Sequence, residues 1–204
     1  MKQLFTYKQA CSGEIAFVKD TIRSNPQQFG TAGGILVRDP TNSDNFALLV
    51  YDFLKYNIVF SITQEHLNTQ VGATAFCEMA AQGNIAILDF LKQKGMDVNL
   101  RNERGVTAIA IAITRGQAKA VKLLLKNGAD PNIVYFDAFA SLQQAVEQYL
   151  IGQDRRIPSM ISIYKEIIDA LLEHKADIEQ AKRLSSRAGT VNVSEYLRQL
   201  RPPR

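Results

Sequence analysis

The sequence predicts an all-α solenoid of about four to five helix-hairpin units, with degenerate terminal caps and one interrupted repeat. The first observation behind this is a pattern written twice. Gly72, Thr74, Ala75, Gly83, Leu91, Gly95, Asp97 and Asn99 recur as Gly105, Thr107, Ala108, Gly116, Leu124, Gly128, Asp130 and Asn132, each pair 33 residues apart. That spacing suits stacked helix–turn–helix repeats. The second observation is helical periodicity between the markers: Ile87, Leu88 and Leu91, then Ala120, Val121, Leu124 and Leu125. The third is turn chemistry. Thr74 and Thr107 are expected to cap a short helix, Gly83 and Gly116 to end it, and Asp97, Asn99, Asp130 and Asn132 to shape an extended finger. One such unit cannot cover its own apolar face, so units must stack.

These residues resemble the ankyrin repeat. Its T-P-L-H-x-A signature corresponds to Thr74-Ala75-Phe76-Cys77-Glu78-Met79 and to Thr107-Ala108-Ile109-Ala110-Ile111-Ala112. Its L-L-x-x-G-A-D-x-N ending reads Leu124-Leu125-Lys126-Asn127-Gly128-Ala129-Asp130-Pro131-Asn132. The Pro and His of the signature are absent from both units. In the family that His bonds neighbouring fingers together, so its loss implies a diverged protein of moderate stability.

In chain order, residues 1–68 are expected to hold degenerate N-terminal units. Lys8 to Ile22 looks helical in two pieces around Ser12-Gly13, as a cap would be. A long finger or hairpin occupies 27–45. Gly30, Gly33 and Gly34 there lack the following Lys-Ser or Lys-Thr of a phosphate-cradling loop. Phe46, Leu49, Val50, Phe53 and Leu54 fit the stripe of an apolar helix. Ile58, Val59, Phe60 and Ile62 fit a second helix or a short strand, and their position in the repeat favours the helix. Two well-formed repeats fill 69–134. A third spans 135–179, with an insertion near 152–159 read as a loop; of its roughly 14 extra residues, part is expected to lengthen the helices on either side. A C-terminal cap and basic tail fill 180–204, with Arg201 to Arg204 frayed.

Composition bounds the function. With 46% hydrophobic and 22% charged residues, the chain has globular proportions. No stretch is long and apolar enough to span a bilayer, and the first residues lack a secretory core. Cys11 and Cys77 fit no metal or redox spacing and are expected to be reduced, packed thiols. His66 and His174 have no companion ligand nearby; His174 suits the last turn of a helix and His66 a surface or finger position. No nucleophile elbow, Walker sequence or zinc-hydrolase helix is present. The expectation is therefore a protein without enzymatic activity, cofactor or metal.

Charge is uneven. Lys182, Arg183, Arg187, Arg198, Arg201 and Arg204 face one acid, Glu195, so the net charge of +4 resides in this last segment. It reads as a solvated capping face or as a docking surface for an acidic protein, anionic lipid or nucleic acid. Without interleaved aromatic residues, nucleic acid is disfavoured. Membrane contact through this basic end is likewise the weaker reading.

What the resemblance implies is a protein-binding scaffold that grips a partner protein with finger tips and exposed inner-helix positions. On this sequence the partner site is expected at Glu103, Arg104 and Val106 on one finger, and at Tyr135, Phe136, Asp137 and Phe139 on the next. Ile111, Arg115, Gln144 and Gln148 follow on the inner helices. Tyr135, Phe136 and Phe139 stand where the family carries polar residues. They suit either an exposed anchor or a cover for the distorted third unit. Small ankyrin proteins of this sort look like those that intracellular bacteria and large DNA viruses direct at host proteins. The expectation is a cytoplasmic, monomeric adaptor or effector, acting in the host cytoplasm if secreted. The alternative is an effector with enzymatic, membrane-binding or nucleic-acid-binding activity in the N-terminal unit or the basic C-terminus.

Overall fold

The computed structural model describes residues 34–39, 41–42, 45–52, 57–135, 139–189 and 191–200. The expected cap at Lys8 to Ile22, Cys11 and the tail from Arg201 lie outside the described residues.

Most of the described chain is a row of helix hairpins. The first pairs α1 (Gln70–Gln82) with α2 (Ile85–Gln93). The second pairs α3 (Ala108–Thr114) with α4 (Ala118–Lys126). The third pairs α5 (Ser141–Asp154) with α6 (Pro158–Glu173). The last pairs α7 (Ile178–Arg187) with α8 (Val191–Gln199). The inner helices α1, α3, α5 and α7 form one row, and α2, α4 and α6 form the outer row behind it. α8 leaves that pattern and packs on α5, closing the array.

Each hairpin buries its apolar stripe against the next. Leu88, Leu91, Ile109, Ile113, Val121, Leu124, Ile167, Ile168 and Leu171 are all nearly inaccessible to solvent in one continuous core. Burial of each such side chain contributes about 1.5–3 kcal/mol. Ala80, Ala112 and Ala145, each 0% exposed, let the inner helices approach closely.

Helix ends follow local chemistry, with one correction. Thr74 does not cap α1. The helix starts earlier, at Thr69, whose hydroxyl accepts the Gly72 N–H at 3.4 Å. Thr74 lies a turn inside and donates to the Gln70 carbonyl at 2.9 Å. Gly72 has room for no side chain, because a Cβ would sit 2.1 Å from the Leu67 carbonyl oxygen. Gly83 then ends α1 in the left-handed conformation, φ 66°. Thr107 precedes α3 but caps nothing, and its buried hydroxyl has no partner.

Two elements differ from the sequence-based expectation. The residues expected to form an apolar helix from Phe46 and a second helix over Ile58–Ile62 are strands. β1 (Gly34–Arg38), β2 (Phe46–Asp52) and β3 (Asn57–Thr63) make an antiparallel meander in the order β1-β2-β3. β1 pairs with β2, with Gly34 opposite Val50 and Arg38 opposite Phe46; of the span 27–45 expected to form a finger or hairpin, only β1 is a strand among the described residues. Phe46, Ala47, Leu48 and Leu49 are all buried, so β2 is covered on both faces and carries no alternation. Phe46 meets Phe90 of α2 edge to face at 5.1 Å, which joins the sheet to the first hairpin. The second difference concerns 152–159. As expected, the extra residues lengthen α5 and α6, but the loop read over 152–159 shrinks to 155–157.

Neighbouring units are clasped by asparagines. Asn68 donates to the Gly95 carbonyl at 3.0 Å and accepts the Asp97 N–H at 2.9 Å. Asn99 does the same to Gly128 and Asp130, at 3.0 and 2.9 Å. Asn132 reaches Lys175 at 3.4 Å and Asp177 at 2.7 Å. The aspartates hold their own turns: Asp97 accepts the Asn99 N–H at 2.9 Å and Asp130 the Asn132 N–H at 2.8 Å.

The orphaned Thr107 hydroxyl gives a test. Replacing it with the isosteric methyl of Thr107→Val removes an unpaired polar group and keeps the shape. Stability in urea unfolding is expected to rise by about 1 kcal/mol. A loss of stability would mean that the hydroxyl has a partner in solution.

Candidate functional site

The second and third fingers border a cleft floored by the inner helices. The second finger is held by Asn102, which is buried and whose side-chain Oδ1 accepts the N–H groups of Arg104 and Val106 at 3.0 and 3.1 Å. Its backbone closes through Gly105 N–H to the Asn102 carbonyl, 2.8 Å, and Asn102 N–H to the Val106 carbonyl, 2.9 Å. Glu103 and Arg104 are thereby presented outward at the tip. The third finger is an antiparallel pair, β4 (Val134–Tyr135) and β5 (Phe139–Ala140), with Tyr135 opposite Phe139.

Arg101 joins the two fingers. Its guanidinium donates to the Gly105 carbonyl at 2.7 Å and to the Val134 carbonyl at 3.1 Å. It was not among the expected site residues. Nothing in its sequence setting distinguishes a positioning arginine from a solvated one.

The cleft has a volume of about 580 Å³. It gathers eight of the eleven expected residues: Glu103, Arg104, Val106, Ile111, Arg115, Tyr135, Phe139 and Gln144. Gln148 lies on α5 outside the lining. Phe136 and Asp137 lie outside the described residues. Thr74, Cys77, Glu78, Asn102 and Thr114 complete the lining and were not among the expected site residues.

Floor and rim differ in character. Tyr135, 4% exposed, is a floor residue and not an exposed anchor. It stacks on Phe139 with ring centres 6.0 Å apart and packs with Val106 and Ala110. Its hydroxyl donates to the Gln144 side-chain oxygen, and the Gln144 amide donates to the Thr114 hydroxyl at 2.8 Å. Thr114 passes its own proton to the Ala110 carbonyl at 2.8 Å. This chain ties the third finger to α3 and α5. Burial, and then the charge of Glu147, pushes the Tyr135 phenol well above its ordinary range, so it stays a neutral donor. The rim is charged. Arg104 and Arg115 are exposed and form no ion pair among the described residues, and Glu78 and Glu103 stand near them.

Cys77 is the one thiol in the lining. It is 2% exposed and its Sγ lies 3.5 Å from the Val106 carbonyl. Burial, then Glu78, pushes its pKa up to about 12, so it is a protonated packing residue with little nucleophilic character. Neither histidine is nearby. His66 accepts the Thr63 N–H at 3.1 Å in the turn before α1, and His174 ends α6 with Nδ1 3.0 Å from the Ala170 carbonyl. No cluster of three metal-ligating side chains occurs among the described residues. No helix among them is long and apolar enough to cross a membrane.

Residues 46–135 match the family model for ankyrin repeats in three copies. This span carries ankyrin repeats. The matched span begins in β2, so two of its helix hairpins, α1–α2 and α3–α4, fall wholly inside it. Ankyrin repeats generally mediate protein–protein interaction. The chain is 40% identical over 70 residues to one ankyrin repeat protein of fowlpox virus, covering 34% of this chain and 10% of that protein. It is 30% identical over 118 residues to a second fowlpox ankyrin repeat protein, covering 55% of this chain and 43% of the other. An ankyrin repeat protein of Rickettsia felis is 45% identical over 47 residues, 23% of this chain and 18% of that one. The chain thus spans less than half the length of each of these relatives.

The raised Cys77 value fixes the sign of a pH effect. The thiol ionises near 9.0 when unperturbed and near 12 in the fold. Between those values the folded state keeps a proton that the unfolded chain releases. Its contribution is therefore complete below pH 9 and is lost as pH rises toward 12. In urea unfolding between about pH 8 and pH 10.5, Cys77→Ala is expected to lose less stability than the native protein. Equal losses would contradict the buried thiol.

Proposed function

We propose that the protein is a binding module that seats a partner protein in the cleft between its second and third fingers, acting as an adaptor or inhibitor. The observation that carries this reading is the combination of a well-packed apolar floor with exposed rim arginines that form no ion pair among the described residues. Tyr135, Val106 and Ile111 are held in place by the Gln144–Thr114 bonds and by Arg101, so little entropy remains to be lost when a partner docks. Arg104 and Arg115 are exposed, with no ion pair among the described residues, and are suited to meet carboxylates, while half-buried Phe139 can make apolar contact. Arginine and aromatic residues around a dry centre are what dominate binding energy at interfaces.

The same reading takes the protein as non-catalytic, because the cleft thiol is too basic to act as a nucleophile. It also takes the chain as cytoplasmic, where a free buried thiol such as Cys77 persists. A host protein as the target is supported by the likeness to ankyrin repeat proteins of fowlpox virus and Rickettsia.

The test is affinity capture with mass spectrometry, using Arg104→Glu/Arg115→Glu beside Lys119→Glu on the outer helix α4. A partner retained by the native protein and by the Lys119 variant is expected to lose affinity about thirtyfold or more with the cleft variant. Unchanged capture by a cleft variant of native thermal stability would overturn the assignment.

A further inference from the structure

A second depression flanks the same finger. Successive residues of a strand point to opposite sides, so while Tyr135 enters the cleft, its neighbour Val134 lines a groove against α7 and α8. This groove is larger, about 720 Å³. Val134 and Leu184 give it an apolar floor, and Lys182, Arg183, Arg187 and Arg198 surround it. Among the described residues, no carboxylate and no aromatic side chain lines it.

The four cations are not equally engaged. Lys182 is held by Glu179 at 2.7 Å, and Arg183 approaches Asp177 only to 3.9 Å. Arg187 and Arg198, both exposed, form no ion pair among the described residues. Arg183 and Arg187 are four residues apart on α7, hence about 6 Å apart along its axis. Arg198 faces them from α8. A solvated cap would need charges scattered outward, and here they converge on a concavity.

We propose that the groove between α7 and α8 is a second docking site, for an extended acidic segment of a partner protein. Three features select that occupant. Alternate side chains of an extended chain stand about 6.6 Å apart, so carboxylates at positions i and i+2 match the Arg183–Arg187 spacing while a third meets Arg198. A nucleic acid strand would lack a stacking surface, since no aromatic ring among the described residues lines the groove. An anionic membrane would need apolar side chains projecting from this end. The large exposed hydrophobics among the described residues are Val71, Ile157 and Ile163, none on α7 or α8. The site is separate from the cleft and shares no lining residue with it.

The test uses fluorescence anisotropy of a labelled hexaglutamate peptide with the full chain. The native protein is expected to bind it, and to bind more weakly as salt rises from about 50 to 200 mM, because screening shortens the reach of the charges. Arg187→Gln/Arg198→Gln is expected to weaken binding about tenfold or more, whereas Arg187→Lys/Arg198→Lys keeps most of it. Arg104→Gln/Arg115→Gln in the cleft should leave peptide binding unchanged, which separates this site from the one proposed above. Undiminished binding by the folded Gln variant would overturn the proposal. So would a native protein that ignores the peptide, including one that instead binds single-stranded RNA or phosphatidylserine vesicles.

Discussion

Three asparagine side chains set how the units of this solenoid sit on one another. Asn68, Asn99 and Asn132 each reach across to the following unit, donating to one carbonyl and accepting the N–H of Asp97, Asp130 or Asp177. Apolar burial drives the hairpins together, but burial is non-directional and would tolerate sliding. A two-point amide clasp does not tolerate it. Each bond contributes about 1 kcal/mol net, less than a buried leucine, yet it fixes register where the leucines only supply adhesion. The family histidine that the chain lacks is thus not the only means of joining its fingers.

Register matters because the cleft is built from several units. Glu78 and Cys77 come from α1, Arg104 and Val106 from the second finger, Ile111 and Arg115 from α3, Tyr135 and Phe139 from the third finger. A displacement of one unit by a helical turn would break the Tyr135–Gln144–Thr114 chain and pull Arg101 from the Val134 carbonyl. The elements that look like binding apparatus from the sequence are therefore partly scaffold. Tyr135 stabilises the cleft from beneath, and the residues that the proposed partner would meet are the charged ones above it together with Phe139. The same finger carries a basic groove on its far side, so one short β-hairpin, itself anchored by Arg101, organises two surfaces of opposite design: one mixed in charge, the other wholly cationic.

Much of this was legible in the residues. The 33-residue period placed α1 to α4, because Gly83, Gly95, Gly116 and Gly128 punctuate helices at positions where each has a positive φ. The expected finger and inner-helix positions met in one cleft because the period carries three-dimensional information: equivalent residues stack. The sheet was missed for a definite reason. In Phe46-Ala47-Leu48-Leu49-Val50 every residue is apolar, so a helical stripe can be drawn through a run that has no period at all. An unbroken short apolar run fits a strand buried on both faces equally well, and periodicity cannot decide between them. Thr74 misled because its pattern partner Thr107 does precede a helix, while α1 begins five residues earlier at a cap, Thr69, with no counterpart in the next unit. The ladder asparagines carry a visible pattern, but their partners lie 27 to 45 residues away. That distance in sequence is bridged only in the folded array.

Amide hydrogen exchange at Asp130 probes the clasp most directly. In the native protein this N–H, held by Asn99, should be protected to the same degree as the amides of α4. In Asn99→Ala that protection should vanish, while the Asp177 amide on Asn132 keeps its own. An Asp130 amide that exchanges in the native protein as fast as an open loop would show that the asparagines do not hold the units in register.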